Sequence, residues 1–381
     1  MDEKYIHLNN INNYNIILMN KYFDNPEYWY QMMIISDKSY YHIDMGTKKI
    51  SSINNIMLIA EANEEIIGTV RNLFNTSQIY DLPKPIPFIP IKRKYDFNFL
   101  DCDIIASYNI NNKKCIIAYK DDNIIISFDG TSSINEILYD FDFIMETYYD
   151  NVNIMKNNCS FNSGLIKILF NIKLKDSDIQ IHDDNYHTYK KNYDNCFNFI
   201  KDIIQRIMFL NKNKNANIHI TGHSLGAMLS SAFSVFISDI FLESSIFVTL
   251  FGTTKCCDIN TIKYIKTKSN LHFNNCIQYG DIVPSIYLPL IKKKYHIGNT
   301  IDDYKKAYIL DYIIPFSNNY MTKINKISLN SYYFYFSWII NIFRLQYHIL
   351  VIYKMNIENL LSIKIQNDNG DEQNESKNSN I

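Results

Sequence analysis

Residues 216–229 read ANIHITGHSLGAML, and no other stretch restricts the fold of this chain as tightly. A short β-type run, Ile218-His-Ile-Thr221, passes through Gly-His-Ser-Leu-Gly into small and apolar residues that read as a helix over 226–241. A chain that leaves a strand and enters a helix across one residue must turn sharply. Side chains two positions before and after the turning residue would then collide with neighbouring backbone. Gly222 and Gly226 remove those collisions, and glycine is scarce here, with ten in 381 residues. On such a turn Ser224 projects from the carboxyl edge of a sheet, above a helix N-terminus whose N–H groups favour developing negative charge. That is the setting of a nucleophile elbow. The plainer alternative is a packing turn with a buried serine.

The middle of the chain supplies the sheet such a turn needs. Cys115–Tyr119 and Asn123–Phe128 are apolar β-rich runs separated by Lys120-Asp-Asp122, the pattern of a hairpin. Asp129-Gly-Thr131 follows, then a helical stretch. Residues 194–210 place apolar side chains at helical spacing, and Ser245–Phe251 and Cys276–Tyr279 read as buried strands. Alternation of strand and helix predicts an α/β fold, a mostly parallel central sheet with helices on both faces. Upstream, helices are expected near 14–35 and 55–74, without a motif that assigns them a role. Leu82–Pro90 holds four of the eight prolines and reads as an extended lead-in to the main domain.

Composition excludes several function classes. Hydrophobic residues make up 47% and aromatics 14%, enough for a sizeable core, and a net charge of −1 offers no basic field for nucleic acid. Lys92-Arg-Lys94 and Lys292-Lys-Lys294 are short enough to be solvated surface. The seven cysteines show no C-x-x-C pair and no zinc spacing, and a reducing compartment suits them. Acyl transfer by a serine nucleophile needs no metal or organic cofactor, and none is expected. The N-terminus, MDEKYIHLNN, is acidic and polar where a signal peptide is basic and then apolar. The best apolar run, Tyr332–Phe343, is too short to span a bilayer and contains Ser337 and Asn341. An intracellular, cytoplasmic protein without a transmembrane segment is expected.

A serine alone is a poor nucleophile and needs a base oriented by a carboxylate. On this kind of elbow the chain order is Ser, then Asp or Glu, then His. Asp281, in Tyr279-Gly-Asp-Ile-Val-Pro284, directly follows the strand ending at Tyr279 and so reaches the same sheet edge. Of His272, His296 and His348, only the last two follow Asp281, and order leaves both open. His223 points away from its neighbour on such a turn and is expected to pack beneath it.

These motifs together resemble the class 3 lipases, α/β-hydrolases of the fungal triacylglycerol lipase type. Thr221-Gly-His-Ser-Leu-Gly-Ala227 resembles the family elbow, Phe251-Gly its strand end, and Asp281-Ile-Val-Pro284 the segment with its catalytic Asp. His296-Ile-Gly298 resembles a structural His-x-Gly segment, and His348 with Tyr353 the arrangement carrying the catalytic His, so the resemblance implies Ser224, Asp281 and His348 as the triad. Ile126-Ser-Phe-Asp-Gly-Thr131 resembles the oxyanion strand, which implies Thr131 and the N–H of Leu225 as oxyanion donors and Asp140 as support. Ile134, Ile137, Leu138 and Phe141 would face the site from a lid helix, with an amphipathic core helix as the alternative.

The resemblance spans roughly residues 104–355, with departures at Asp129 (Arg in the family), Asn162-Ser-Gly-Leu165 (His-x-Gly-Phe) and Thr254 (Pro). The expected division is an N-terminal extension over 1–90, an α/β-hydrolase domain over 91–365 and a disordered polar tail over 366–381. The function implied is a serine esterase, a triacylglycerol lipase meeting its lipid ester at a lipid–water interface, with peripheral contact to a membrane or lipid droplet. The alternatives are a phospholipase A1 or general carboxylesterase, or an inactive hydrolase scaffold that binds a partner.

Overall fold

The computed structural model describes residues 22, 25–45, 99–111, 113–130, 145–147, 159–186, 192–278, 306–311 and 323–328. In chain order the strands are β1 (Asp103–Ile110), β2 (Lys113–Lys120), β3 (Asn123–Phe128), β4 (Met145–Thr147), β5 (Ser160–Asn162) and β6 (Ile179–Ile181). They continue with β7 (Asn217–His223), β8 (Ile246–Phe251), β9 (Leu271–Gln278), β10 (Lys306–Asp311) and β11 (Lys323–Ser328). The helices are α1 (Pro26–Met45), α2 (Ser163–Ile166), α3 (Cys196–Leu210), α4 (Leu225–Ile237) and α5 (Ile259–Ile265).

Among the described residues, nine strands form one sheet in the order β11-β10-β9-β8-β7-β3-β2-β1-β6, and β4 pairs with β5 apart from it. The central run β3, β7, β8, β9, β10 is parallel, with antiparallel partners at both flanks. This is the mixed, mostly parallel central sheet that the alternation of strand and helix predicts. The hairpin expected at Lys120-Asp-Asp122 is β2–β3. Asp121 and Asp122 both take positive φ (46° and 63°), the backbone twist that a two-residue hairpin turn demands.

Alternate residues on the central strands serve opposite faces. Ile124, Ile126, Ile218, Ile220, Ile246, Val248 and Leu250 join α3 and α4 in one core. Ile104, Ile116, Ala118, Ile125, Phe247 and Phe251 join α1 in a second. Helices therefore cover both faces, as the alternation of apolar runs predicts. Of the helix expected near 14–35, the part from Pro26 is observed as α1, which runs on to Met45, and residues 14–21 lie outside the described residues. The one expected near 55–74 lies outside the described residues, as do the lead-in at 82–90 and the tail from 366.

Within residues 1–90, which carry no readable motif, α1 packs across β1, β2, β3, β7 and β8 on one face of the sheet. Tyr28, Trp29, Met32 and Ile35 are fully buried there. The strand expected at Cys276–Tyr279 begins earlier, at Leu271. Its first five residues include His272, Asn274 and Asn275, polar residues that disguise a strand but are buried here. All seven cysteines are buried thiols.

Two outcomes follow from this packing. Trp29→Ala removes the largest fully buried side chain and is expected to cost about 3–5 kcal/mol, read as a lower urea midpoint. His272 stacks on Phe247 at 5.3 Å, and burial lowers its pKa from 6.5 to about 4. The folded protein then keeps His272 neutral where the unfolded chain takes up a proton, so its stability is full above the unfolded pKa and falls as pH drops toward 4. The expected loss at pH 5 relative to pH 7 is about 2 kcal/mol, and His272→Phe should flatten that part of the profile in urea unfolding.

Candidate active site

The carboxyl ends of β3, β7 and β8 lie side by side, with Phe128 opposite Gly222 and His223 opposite Phe251. Asp129, Ser224 and Gly252 therefore emerge at one edge. Ser224 has φ 56° and ψ −120°, a region that non-glycine residues enter only under constraint, at about 1–3 kcal/mol. The constraint is visible. The Ser224 N–H donates to the carbonyl of Phe251 at 3.0 Å, and the Ser224 carbonyl accepts from the N–H groups of Ala227 and Met228 at 3.1 and 3.2 Å. Thus β8 holds one side of the residue and the first turn of α4 holds the other.

Both glycines of the turn are spatially required. A Cβ on Gly222 would stand 2.8 Å from the nitrogen of Ala227, and one on Gly226 would stand 2.6 Å from the carbonyl oxygen of Asp129. The obstructing atoms are backbone and cannot swing aside. This matches the steric argument from spacing alone.

Ser224 occupies the N-cap position of α4, but its side chain makes no capping bond. The N–H of Leu225 lies in the first turn of that helix, where no intrahelical acceptor exists. A hydroxyl and a polarised donor therefore sit next to one another at the positive end of a helix dipole, the arrangement needed for nucleophilic attack and oxyanion stabilisation. The helix is braced against β7 by the Ser230 hydroxyl, which donates to the carbonyl of Thr221 at 2.8 Å.

His223 is buried beneath the elbow and shares a hydrogen bond between Nδ1 and the Tyr40 hydroxyl at 3.1 Å. Asp129 is 2% exposed. Its Oδ1 accepts from the N–H of Lys114 at 2.6 Å, while its own N–H donates to the carbonyl of Lys114 at 3.1 Å. The carboxylate at this departure from the resembled pattern thus extends the β2–β3 ladder by one residue. At the other departures, Asn162 donates its N–H to Cys256 at 3.0 Å, and the Thr254 hydroxyl contacts the Met228 sulfur at 3.1 Å.

Thr131, Asp140, the lid residues Ile134, Ile137, Leu138 and Phe141, and Asp281, His296 and His348 lie outside the described residues. Of the expected site, the structure brings together Ser224, Leu225 and the end of β3. Sequence reasoning missed Tyr40, whose only signal was its place in an apolar, aromatic helix. Among the described residues, no group of three or more His, Cys, Asp or Glu is placed to hold a metal ion, and no helix is long and apolar enough to cross a membrane.

Residues 125–290 match the family model described as lipase (class 3). Among solved structures, the chain is similar to the native Rhizomucor miehei lipase propeptide complex. The two are 14% identical, with 65% of this chain and 68% of that one covered and a TM-score of 0.44. A triacylglycerol lipase from Penicillium expansum is 16% identical over 55% of this chain and 70% of its own, with a TM-score of 0.41. A fungal lipase–inhibitor complex is 13% identical over 80% and 86%, with a TM-score of 0.44. No curated protein matches the chain.

Gly226→Ala is expected to destabilise by about 1–3 kcal/mol or more, because a methyl group there meets fixed backbone. Urea unfolding of the variant beside wild type measures it.

Proposed function

We propose that this chain, a lipase-like ester hydrolase whose residues 125–290 match the class 3 lipases, hydrolyses triacylglycerol through an acyl-enzyme on Ser224. One observation carries the proposal: Ser224 is held at φ 56° between the end of β7 and the start of α4. A serine is kept in such a conformation where its hydroxyl must stand clear of both elements. Asp281 follows the last residue of β9 by three positions, and β9 is separated from β7 in the sheet only by β8. That connectivity supports Asp281 as the carboxylate, and the resemblance to the class 3 lipases implies His348 as the base.

In the proposed reaction His348, oriented by Asp281, takes the proton of Ser224 as Oγ attacks the ester carbonyl. The N–H of Leu225 and the Thr131 donor stabilise the oxyanion, worth about 3–4 kcal/mol for each donor. His348 then protonates the leaving alcohol as the C–O bond breaks. Water, deprotonated by the same histidine, attacks the acyl-enzyme and releases the fatty acid with Ser224 reprotonated. The acyl chains would be met at a lipid–water interface by the stripe Ile134, Ile137, Leu138 and Phe141, at the surface of a membrane or lipid droplet. A reducing, intracellular setting is supported by seven cysteines that all remain buried thiols.

A fluorophosphonate probe is expected to label wild type and not Ser224→Ala. Equal labelling of the two, or none of wild type, would overturn the mechanism. Hydrolysis should vanish in His348→Ala and persist in His296→Ala; the reverse reassigns the base. Emulsified triacylglycerol should be cleaved faster than phosphatidylcholine or a short soluble ester. Preference for phosphatidylcholine would identify a phospholipase A1 instead.

A further inference from the structure

Tyr40 belongs to α1, well upstream of the matched residues 125–290, yet it reaches the elbow from below. Its hydroxyl shares the 3.1 Å hydrogen bond with Nδ1 of His223, the residue immediately before Ser224. The same hydroxyl fills the space in front of the Gly130 Cα. A Cβ at that glycine would overlap the hydroxyl, stand 3.1 Å from Cζ of Tyr40 and stand 2.6 Å from the carbonyl oxygen of His223. Gly130 is the residue before Thr131. One aromatic ring thus touches the two segments whose spacing matters most.

The main chain of Tyr40 is anchored in the same place. Its carbonyl accepts from Nζ of Lys114 at 2.7 Å, and the N–H of Lys114 donates to the buried carboxylate of Asp129 at 2.6 Å. Tyr40 therefore meets the nucleophile turn through its hydroxyl and the end of the oxyanion strand through Gly130 and Lys114.

The parallel ladder between β3 and β7 runs to Phe128 opposite Gly222 and then stops. Beyond that pair His223 still pairs with Phe251 on β8 and Asp129 still bonds Lys114 on β2, but no β3–β7 ladder pair sets the separation of Asp129-Gly130 from His223-Ser224. Ser224 also stores backbone strain, which persists only while its surroundings over-determine the turn. We propose that Tyr40 is a positioning residue that clamps the elbow to the end of β3, holding Ser224 at a fixed distance from Gly130. The inference rests on Ser224 being the nucleophile. It makes a helix outside the family match part of the machinery that sets the reaction rate, because small misplacement of reacting atoms costs on the order of a hundredfold.

Tyr40→Phe tests this in the full chain, since it keeps the ring and removes only the oxygen. The fluorophosphonate labelling rate and kcat on a soluble nitrophenyl ester are expected to fall about tenfold or more, with KM unchanged. Amide hydrogen exchange should quicken several-fold in peptides covering 125–130 and 219–228 and stay unchanged across 196–210. Adding Tyr40→Phe to His223→Ala should cost no further activity, because the bond is already gone. Unchanged exchange around the elbow, or quickening to the same extent in 196–210, would overturn the clamp. A rate loss that adds fully to that of His223→Ala would overturn the route through His223. If wild type fails to label, the nucleophile assignment falls, and the local exchange difference still decides whether Tyr40 holds the turn.

Discussion

The structure turns on how closely the first turn of α4 approaches the ends of β3 and β7. Gly226 lies against the carbonyls of Phe128 and Asp129, and Gly222 lies against the backbone of Gly226 and Ala227. No side chain fits at either place. That closeness brings the hydroxyl of Ser224, the N–H of Leu225 and the strand leading to Thr131 within one small region. It also forces Ser224 into its strained conformation, and the bond to Phe251 on β8 helps to hold it there. Strain of this kind is tolerated only where several elements fix the same residue at once.

Those elements are fixed in turn by a sheet buried on both faces. Period-two alternation sends Ile124 and Ile126 toward α3 and α4, while Ile125 faces α1. The face under α1 is lined by aromatic rings and by the buried histidines His219, His223 and His272. His219 joins Tyr28 on one ring nitrogen and Asn123 on the other, at 2.9 and 3.1 Å, and stacks against Phe247. A polar group can sit in such a core because both its ring nitrogens are satisfied. The same helix carries Tyr40 to the elbow, so support for the sheet and support for the turn come from one element.

Much of this was legible in the residues. The elbow, the hairpin at Asp121-Asp122, the helix at 196–210 and the strands at 217–223 and 246–251 all show a local pattern that their tertiary setting did not override. The position of α1 was less clear, because its apolar residues run nearly all round the helix and give no boundary. The start of β9 was hidden by His272, Asn274 and Asn275, which a propensity argument assigns to loop and which the fold buries. The role of Asp129 could not be read from charge alone. Beside the proposed oxyanion donor a carboxylate suggests a defect, whereas in the fold one of its oxygens is spent on the N–H of Lys114.

By itself the sequence determined where the chain must turn and which residue stands on the turn. Steric exclusion at Gly222 and Gly226 acts over five consecutive residues and needs no distant partner to be recognised. Only the tertiary structure decided what supports that turn. The bond between Tyr40 and His223 joins residues 183 positions apart, and no local pattern records a contact made by packing a helix onto the far side of a sheet.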